Sequence, residues 1–399
     1  MRNALPLVWG VLLLLIACGQ PQPPAAAPSA PKPSTTAVVA PMSTPKPLAY
    51  ESPAQIPAAQ LYGNFTAAAD TALRLSGCAY RLSWRVRLDT LQPLTHITPP
   101  DPAMYFAGDT SRGFQGYYKV EVRDSLGHRV GSHSFTKADF YPAVGPELAI
   151  SSEVELPQLL GYSEALGGLV FTVTFNAPGT DWYGRAALVL APSGQVRYLG
   201  PGTGSDGPRV EVTLAADGLT LLTEKEIRHA GRPPIPVKRA GAELRGATLL
   251  NDTLALLIYE PGRSRPRRNE MPYFEATAAQ RRQPNAFVLD VRSNHEVSYF
   301  RYDGFYYELG YVIPMQQVPQ AHAVYLLDAD KGLYVLPLRR PATGRLLPFA
   351  ALRGAAGPPA ASEVSFELTG PMLTGAAQNH QFWVDTAHAI PVRHLVLKD

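Results

Sequence analysis

From about residue 58 onward, short apolar runs alternate with polar breaks. The runs fall at 80–88, 117–122, 169–175, 187–190, 209–214, 253–259, 286–291, 296–302, 324–327, 333–338 and 382–384. They are rich in Val, Tyr, Phe and Leu, and they end at Gly, Pro, Asn or Asp. That is the signature of β-strands, because a helix needs longer runs with a 3.6-residue period. One short helix is predicted at Thr223-Glu224-Lys225-Glu226, a capping-box pattern with Gly231 as its stop.

An apolar strand, a short polar turn and a second apolar strand recur at 118–132, 187–199, 286–300, 324–336 and 382–395. The starts are irregularly spaced, whereas a strict repeat array has a fixed period. The pattern therefore predicts an all-β body, read as a β-propeller-like array of short antiparallel strands. Two tandem β-sandwich domains are the alternative, with a boundary near 200–208.

Composition supports this. Of 399 residues, 46% are hydrophobic and 17% charged, with 39 Pro and 33 Gly. So many breakers exclude a coiled coil, and the apolar share is too large for wholesale disorder. The net charge of +3 gives no reason to expect nucleic acid.

The N-terminus differs in kind. Arg2 precedes an apolar run from Leu5 to Ala17. That run is shorter than the roughly 20 residues of a membrane span and reads as a signal peptide over 1–17. Its last four residues, Leu15-Ile16-Ala17-Cys18, resemble the lipobox of bacterial lipoproteins. The resemblance implies cleavage before Cys18, a diacylglyceryl group on its sulfur and anchoring in the cell envelope. Gly19, in place of Asp, then permits sorting to the outer membrane. Residues 18–57 are dominated by Pro, Ala, Ser and Thr and read as an extended tether. Fully extended at ~3.1 Å per residue, it would span on the order of 100 Å. The all-β body occupies 58–399. Cys78, with no partner besides the lipidated cysteine, is expected as a buried, inert thiol.

Few motifs carry chemistry. Gly202-Thr203-Gly204-Ser205-Asp206-Gly207 matches a dinucleotide fingerprint, but Pro208 and an apolar run follow it where a helix is needed. Asp328, Asp330 and Gly332 form a D-x-D-x-G turn with too few oxygens for calcium. The histidines show no zinc spacing, and no G-x-S-x-G elbow occurs. No metal and no cofactor is expected. Asp181, Glu260, Asp290, Asp303, Glu308 and Asp328 could supply a glycosidase-type pair only from different strands.

Two stretches stand out as contact surfaces. One is a basic insertion holding Arg263, Arg265, Arg267, Arg268, Arg281 and Arg282, offset by Glu270 and Glu275. Clustered arginine suits phosphate and carboxylate groups. The other is the aromatic run 299–311, where alternation places Phe305, Tyr307 and Tyr311 on one face and Tyr306 and Glu308 on the other. Tyr302, Tyr306 and Glu308 are its candidate contact residues. The functional expectation is a membrane-anchored envelope lipoprotein with a binding or scaffolding role. Its partners would be peptidoglycan, polysaccharide or an outer-membrane protein. A glycan-active enzyme on a β-scaffold is the alternative, and nothing in the sequence requires catalysis.

Overall fold

The computed structural model describes residues 65–75, 77–100, 108–205, 207–267, 270–307, 310–328, 331–354, 360–370, 378–387 and 392–397, with the side chains of 264–267, 270–274, 306–307 and 310 left aside. Over these residues the chain is mainly β, in several small and mostly antiparallel sheets.

The first sheet is a meander of β1 (Thr66–Leu75), β2 (Cys78–Thr98), β3 (Asp109–Asp124) and β4 (Arg129–Thr136). Two short helices follow, α1 (Tyr141–Val144) and α2 (Pro146–Ser151). The second sheet runs in order through β5 (Gln158–Ser163), β6 (Gly168–Asn176), β7 (Tyr183–Leu190) and β8 (Val196–Gly204). After β9 (Arg209–Val210), the third is made of β10 (Thr213–Leu214), β11 (Thr220–Leu222), β12 (Glu226–His229) and β13 (Ile235–Pro236).

The fourth sheet contains β14 (Ala242–Leu249) and β15 (Leu254–Pro261), with β9 parallel to β14 at its edge. The chain then leaves it for a two-stranded ribbon, β16 (Arg263–Arg267) with β17 (Glu270–Glu275), and a helical turn, α3 (Ala278–Arg282). It returns through β18 (Ala286–Asp290) and β19 (His295–Phe300). A small hairpin, β20 (Phe305–Tyr307) with β21 (Gly310–Val312), precedes the fifth sheet. That sheet is β22 (Met315–Val318), β23 (Ala323–Asp328), β24 (Gly332–Pro337) and β25 (Arg345–Pro348). The sixth pairs β26 (Arg353–Gly354), β29 (Val392–Leu397), β28 (Gln378–Asp385) and β27 (Glu363–Gly370).

Successive sheets share cores. Leu82, Trp84 and Val86 of the first sheet pack with Leu169, Phe171 and Leu188 of the second. Val170 and Val189, the neighbours of those residues, point the other way and meet Val212 and Leu221. On β15, Ala255, Leu257 and Tyr259 join a core with Leu222 and Ile227 of the third sheet. Leu254, Leu256 and Ile258 join Val324 and Leu326 of the fifth. Tyr325 and Leu327 face the sixth, against Phe366 and Phe382. Inner strands are thus apolar on both faces. This is why they read as continuous hydrophobic runs and not as alternating ones.

Close backbone approach fixes the first sheet to the second. A Cβ on Gly131 would lie 2.2 Å from the Pro192 carbonyl oxygen, and one on Gly194 would lie 2.5 Å from that of Ser132. His133 adds a contact from Nδ1 to the Gly194 carbonyl at 2.8 Å.

Three expectations are corrected here. Residues 223–226 form no helix. The Thr223 hydroxyl donates to the Glu226 carbonyl at 2.9 Å and accepts from the Glu226 N–H at 3.2 Å, closing a tight turn into β12. Cys78 is exposed, because it is the first residue of β2 after the hairpin turn. Tyr311 lies opposite Tyr306 and not in line with Phe305, because the chain reverses between β20 and β21. Gly200 to Gly204, near the expected domain boundary, belong to β8, and the core shared with Val212 continues past them.

Candidate functional site

The outer face of the first sheet concentrates charge. Along β2, Leu82, Trp84, Val86 and Leu88 turn inward. The residues between them, Arg81, Ser83, Arg85 and Arg87, therefore turn outward. On β3, Tyr118, Val120 and Val122 are buried, which turns Tyr117, Lys119, Glu121 and Arg123 out.

Register arranges these side chains in rows. Arg81 stands opposite Arg123, which stands opposite Arg129. The next row is Asp70, Ser83, Glu121 and Ser132. Beyond it come Ala68, Arg85, Lys119 and Ser134. Rows two residues apart are separated by about 6.6 Å, so the two basic rows lie about 13 Å apart with the acidic row between them.

The acids hold the cations in place. Asp70 accepts from Arg81 Nε at 3.0 Å and Nη2 at 2.7 Å. Glu121 pairs with Lys119 at 3.3 Å and also with Arg123. Partial burial pushes the Glu121 carboxyl up, but hydrogen bonds from Arg123 and Lys119 outweigh it and hold the group below the usual carboxylate range. The Arg85 side chain makes no hydrogen bond or ion pair among the described residues. Ala68 and Ser83 are small, which leaves a depression of about 590 Å³ on this face, rimmed by Arg81, Arg85, Lys119 and Arg123. Four cations against two carboxylates give the depression a net positive charge, which suits anionic groups. It contains no nucleophile paired with a base.

The described candidates expected from sequence lie on several elements. Cys18, Arg268 and Glu308 lie outside the described residues. Arg263, Arg265 and Arg267 lie on β16, opposite Glu275, Tyr273 and Glu270 respectively, so the ribbon sets Arg263 and Arg267 against acidic positions and Arg265 against an aromatic one. Arg281 and Arg282 are exposed in the last turn of α3, where positive charge complements the carbonyl end. Tyr306 is on β20. Tyr302 is not a surface residue. It is completely buried, its hydroxyl donates to the Leu327 carbonyl at 3.1 Å, and burial raises its pKa well above the ordinary value.

Beside Tyr302, two of the carboxylates considered for glycan chemistry do meet. The Asp303 N–H donates to Asp328 Oδ2 at 3.2 Å. Lys331 Nζ bridges the pair, bonded to Asp303 and 3.4 Å from Asp328 Oδ2. Asp328 is 1% exposed, and burial pushes its carboxyl up against the offsetting contacts from Asp303 N–H and Lys331. An ammonium thus stands between the two acids, where a sugar oxygen or attacking water would have to sit.

The G-x-G-x-x-G segment runs from β8 toward β9 and opens no helix. Among the described residues no group of three His, Cys, Asp or Glu side chains could hold a metal. Sequence reading passed over Arg81, Arg85, Lys119 and Arg123. Arg81 and Arg85 are signalled by 80–88, where apolar residues alternate with Arg and Ser, and Lys119 and Arg123 by the same alternation over 117–123.

No protein-family model matches the chain, and no curated protein matches it. Among solved structures it is similar to an ACO/RPE65 chimera, at 10% identity over 78% of this chain and 62% of that one, with a TM-score of 0.21. Cobalt-substituted Synechocystis ACO gives 11% identity over 78% and 62%, with a TM-score of 0.21. Prolyl oligopeptidase B from Galerina marginata gives 8% identity over 83% and 57%, with a TM-score of 0.24. The chain spans less than two thirds of the length of each of these. Likeness at this level carries no argument about fold or activity.

Proposed function

We propose that this chain is a membrane-anchored cell-envelope lipoprotein with a binding role. Lipid on Cys18 holds it, probing distance is set by the tether over 18–57, and the body is a β-propeller-like succession of sheets. Its contact surface is the outer face of the first sheet, and its partner is anionic material of the envelope, of the peptidoglycan or polysaccharide kind. The observation that carries this reading is the double row of outward cations, Arg81 with Arg123 and Arg85 with Lys119, around a floor of small side chains. An outward sheet face needs no cations for the fold, and like charges directly opposite each other destabilise a strand pair.

Two measurements test it. Radiolabelled palmitate should enter the full-length chain in a bacterial host and be absent from Cys18→Ser. The full-length protein should co-sediment with purified sacculi at low salt and be released as salt rises, because exposed charges are screened beyond about 10 Å at 0.1 M. Binding that ignores both salt and the Arg85→Gln/Lys119→Gln replacement removes this surface from the reading.

A further inference from the structure

We infer that the trough on the first sheet takes an acidic polysaccharide, a chain that alternates carboxylate groups with hydroxyl-bearing sugar. This rests on the reading above that the face is the contact surface, and it names the occupant.

The middle row is acidic. A site made only to attract negative charge would have no carboxylates at its centre. Here Asp70 and Glu121 sit between the two basic rows, joined across Ser83. Both acids have a cation on them, Arg81 on Asp70 and Lys119 with Arg123 on Glu121. A carboxylate has about four lone-pair sites, so each can still accept a hydroxyl. The three rows therefore present donors, acceptors and donors in turn. A continuous layer of anionic headgroups would meet repulsion at the centre. A sugar chain would place its carboxylates on the outer rows and its hydroxyls on the inner one.

The cations suit this role. Arg81 is 69% and Arg123 47% exposed along their side chains, so their guanidinium groups reach solvent while already oriented by the acids. Planar guanidinium groups recognise carboxylates through two parallel hydrogen bonds. Arg85, whose side chain has no acidic partner among the described residues, adds a further guanidinium to the rim. Ala68 and Ser83 leave the space between rows unfilled, which lets a chain lie down on the sheet and not merely touch its rim. Surface ion pairs such as Arg81 with Asp70 contribute little to stability, so a ligand can share or displace them readily.

The test uses the full-length chain carrying Cys18→Ser, without lipid or detergent, and three probes: polygalacturonate oligomers, neutral dextran of similar length, and vesicles of phosphatidylglycerol. Polygalacturonate should bind, dextran should not, and vesicles should bind more weakly than polygalacturonate. Arg85→Gln with Lys119→Gln should weaken polygalacturonate binding about tenfold, the effect of losing charge-assisted contacts on one row. Arg281→Gln with Arg282→Gln should leave it unchanged. The decisive variant is Asp70→Ala. Removing a negative charge strengthens a purely electrostatic anion site, but removing both acceptor oxygens weakens one that needs them for a sugar hydroxyl. Tighter polygalacturonate binding by Asp70→Ala, or preference for the vesicles, overturns the inference. Sacculi binding that Arg85→Gln/Lys119→Gln abolishes, together with no polygalacturonate binding, overturns this inference and leaves the broader reading standing. Unaltered thermal midpoints show that the exposed-site variants are folded.

Discussion

Arg85 and Lys119 stand directly opposite each other on β2 and β3. On a solvent face such a like-charge pair works against the sheet. Replacing Arg85 with threonine, a β-favouring neutral residue, should therefore leave stability unchanged within about 0.5 kcal/mol or raise it. Urea denaturation checks this. A loss well above that range would mean that Arg85 holds the fold together and is not free for a ligand.

Adjacent residues on β15 serve different cores. Leu256 packs toward the fifth sheet and Leu257 toward the third. Leu256→Ala and Leu257→Ala should each cost about 2–5 kcal/mol. In an ordinary strand with one wet face, one of the two would be nearly silent. Chemical denaturation of the two single variants decides the matter.

Lys137 is completely buried, and its ammonium donates to the carbonyls of Ile150, at 3.0 Å, and Ser152. Burial lowers its pKa to about 7, against a smaller opposing effect of Glu153. Between pH 7 and the ordinary value of 10.5, the unfolded chain keeps a proton that the folded chain has shed. Stability should accordingly rise with pH through that window, by at most about 1.4 kcal/mol per unit. Lys137→Met should be less stable overall, since two carbonyls lose their donor, and should lack this rise. Denaturation midpoints at pH 7, 8 and 9 for both proteins provide the comparison.

His380 and His394 hydrogen-bond to each other, Nδ1 to Nε2 at 2.9 Å, and lie among Phe349 and Phe382. Burial, with a smaller effect from His394, lowers the His380 pKa to about 4, and burial lowers that of His394 as well. Both are neutral in the folded protein at pH 7. As pH falls from 6.5 toward 4, the unfolded chain takes up protons that the folded one refuses, so stability falls. His380→Phe should flatten that decline. An equally steep acid profile in the variant would place the sensitivity elsewhere.

Strand content was legible because inner strands bury both faces. The runs 169–175, 253–259 and 324–327 are continuous apolar segments and coincide with β6, β15 and β23. All five expected hairpins are present as β3–β4, β7–β8, β18–β19, β23–β24 and β28–β29. Short polar strands such as β12 were not legible, since Thr223 with Glu226 makes the same local bonds in a tight turn as at a helix start. Tyr302 misled for a related reason. Tyrosine suits a wet edge and a buried site with a carbonyl to bond, and only the position of Leu327 separates the two. The trough on the first sheet needed cross-strand register, which alternation along one strand does not contain.

The first sheet has one dry face and one wet one, and strand alternation assigns each residue of β2 from Arg81 to Leu88 to one or the other. Its two duties are therefore written in separate letters of the same sentence. Leu82, Trp84 and Val86 can stay fixed over Leu169 and Phe171 while Arg81, Ser83 and Arg85 are respelled one position at a time. Outward substitutions can redraw the charge of this face without disturbing what the sheet covers.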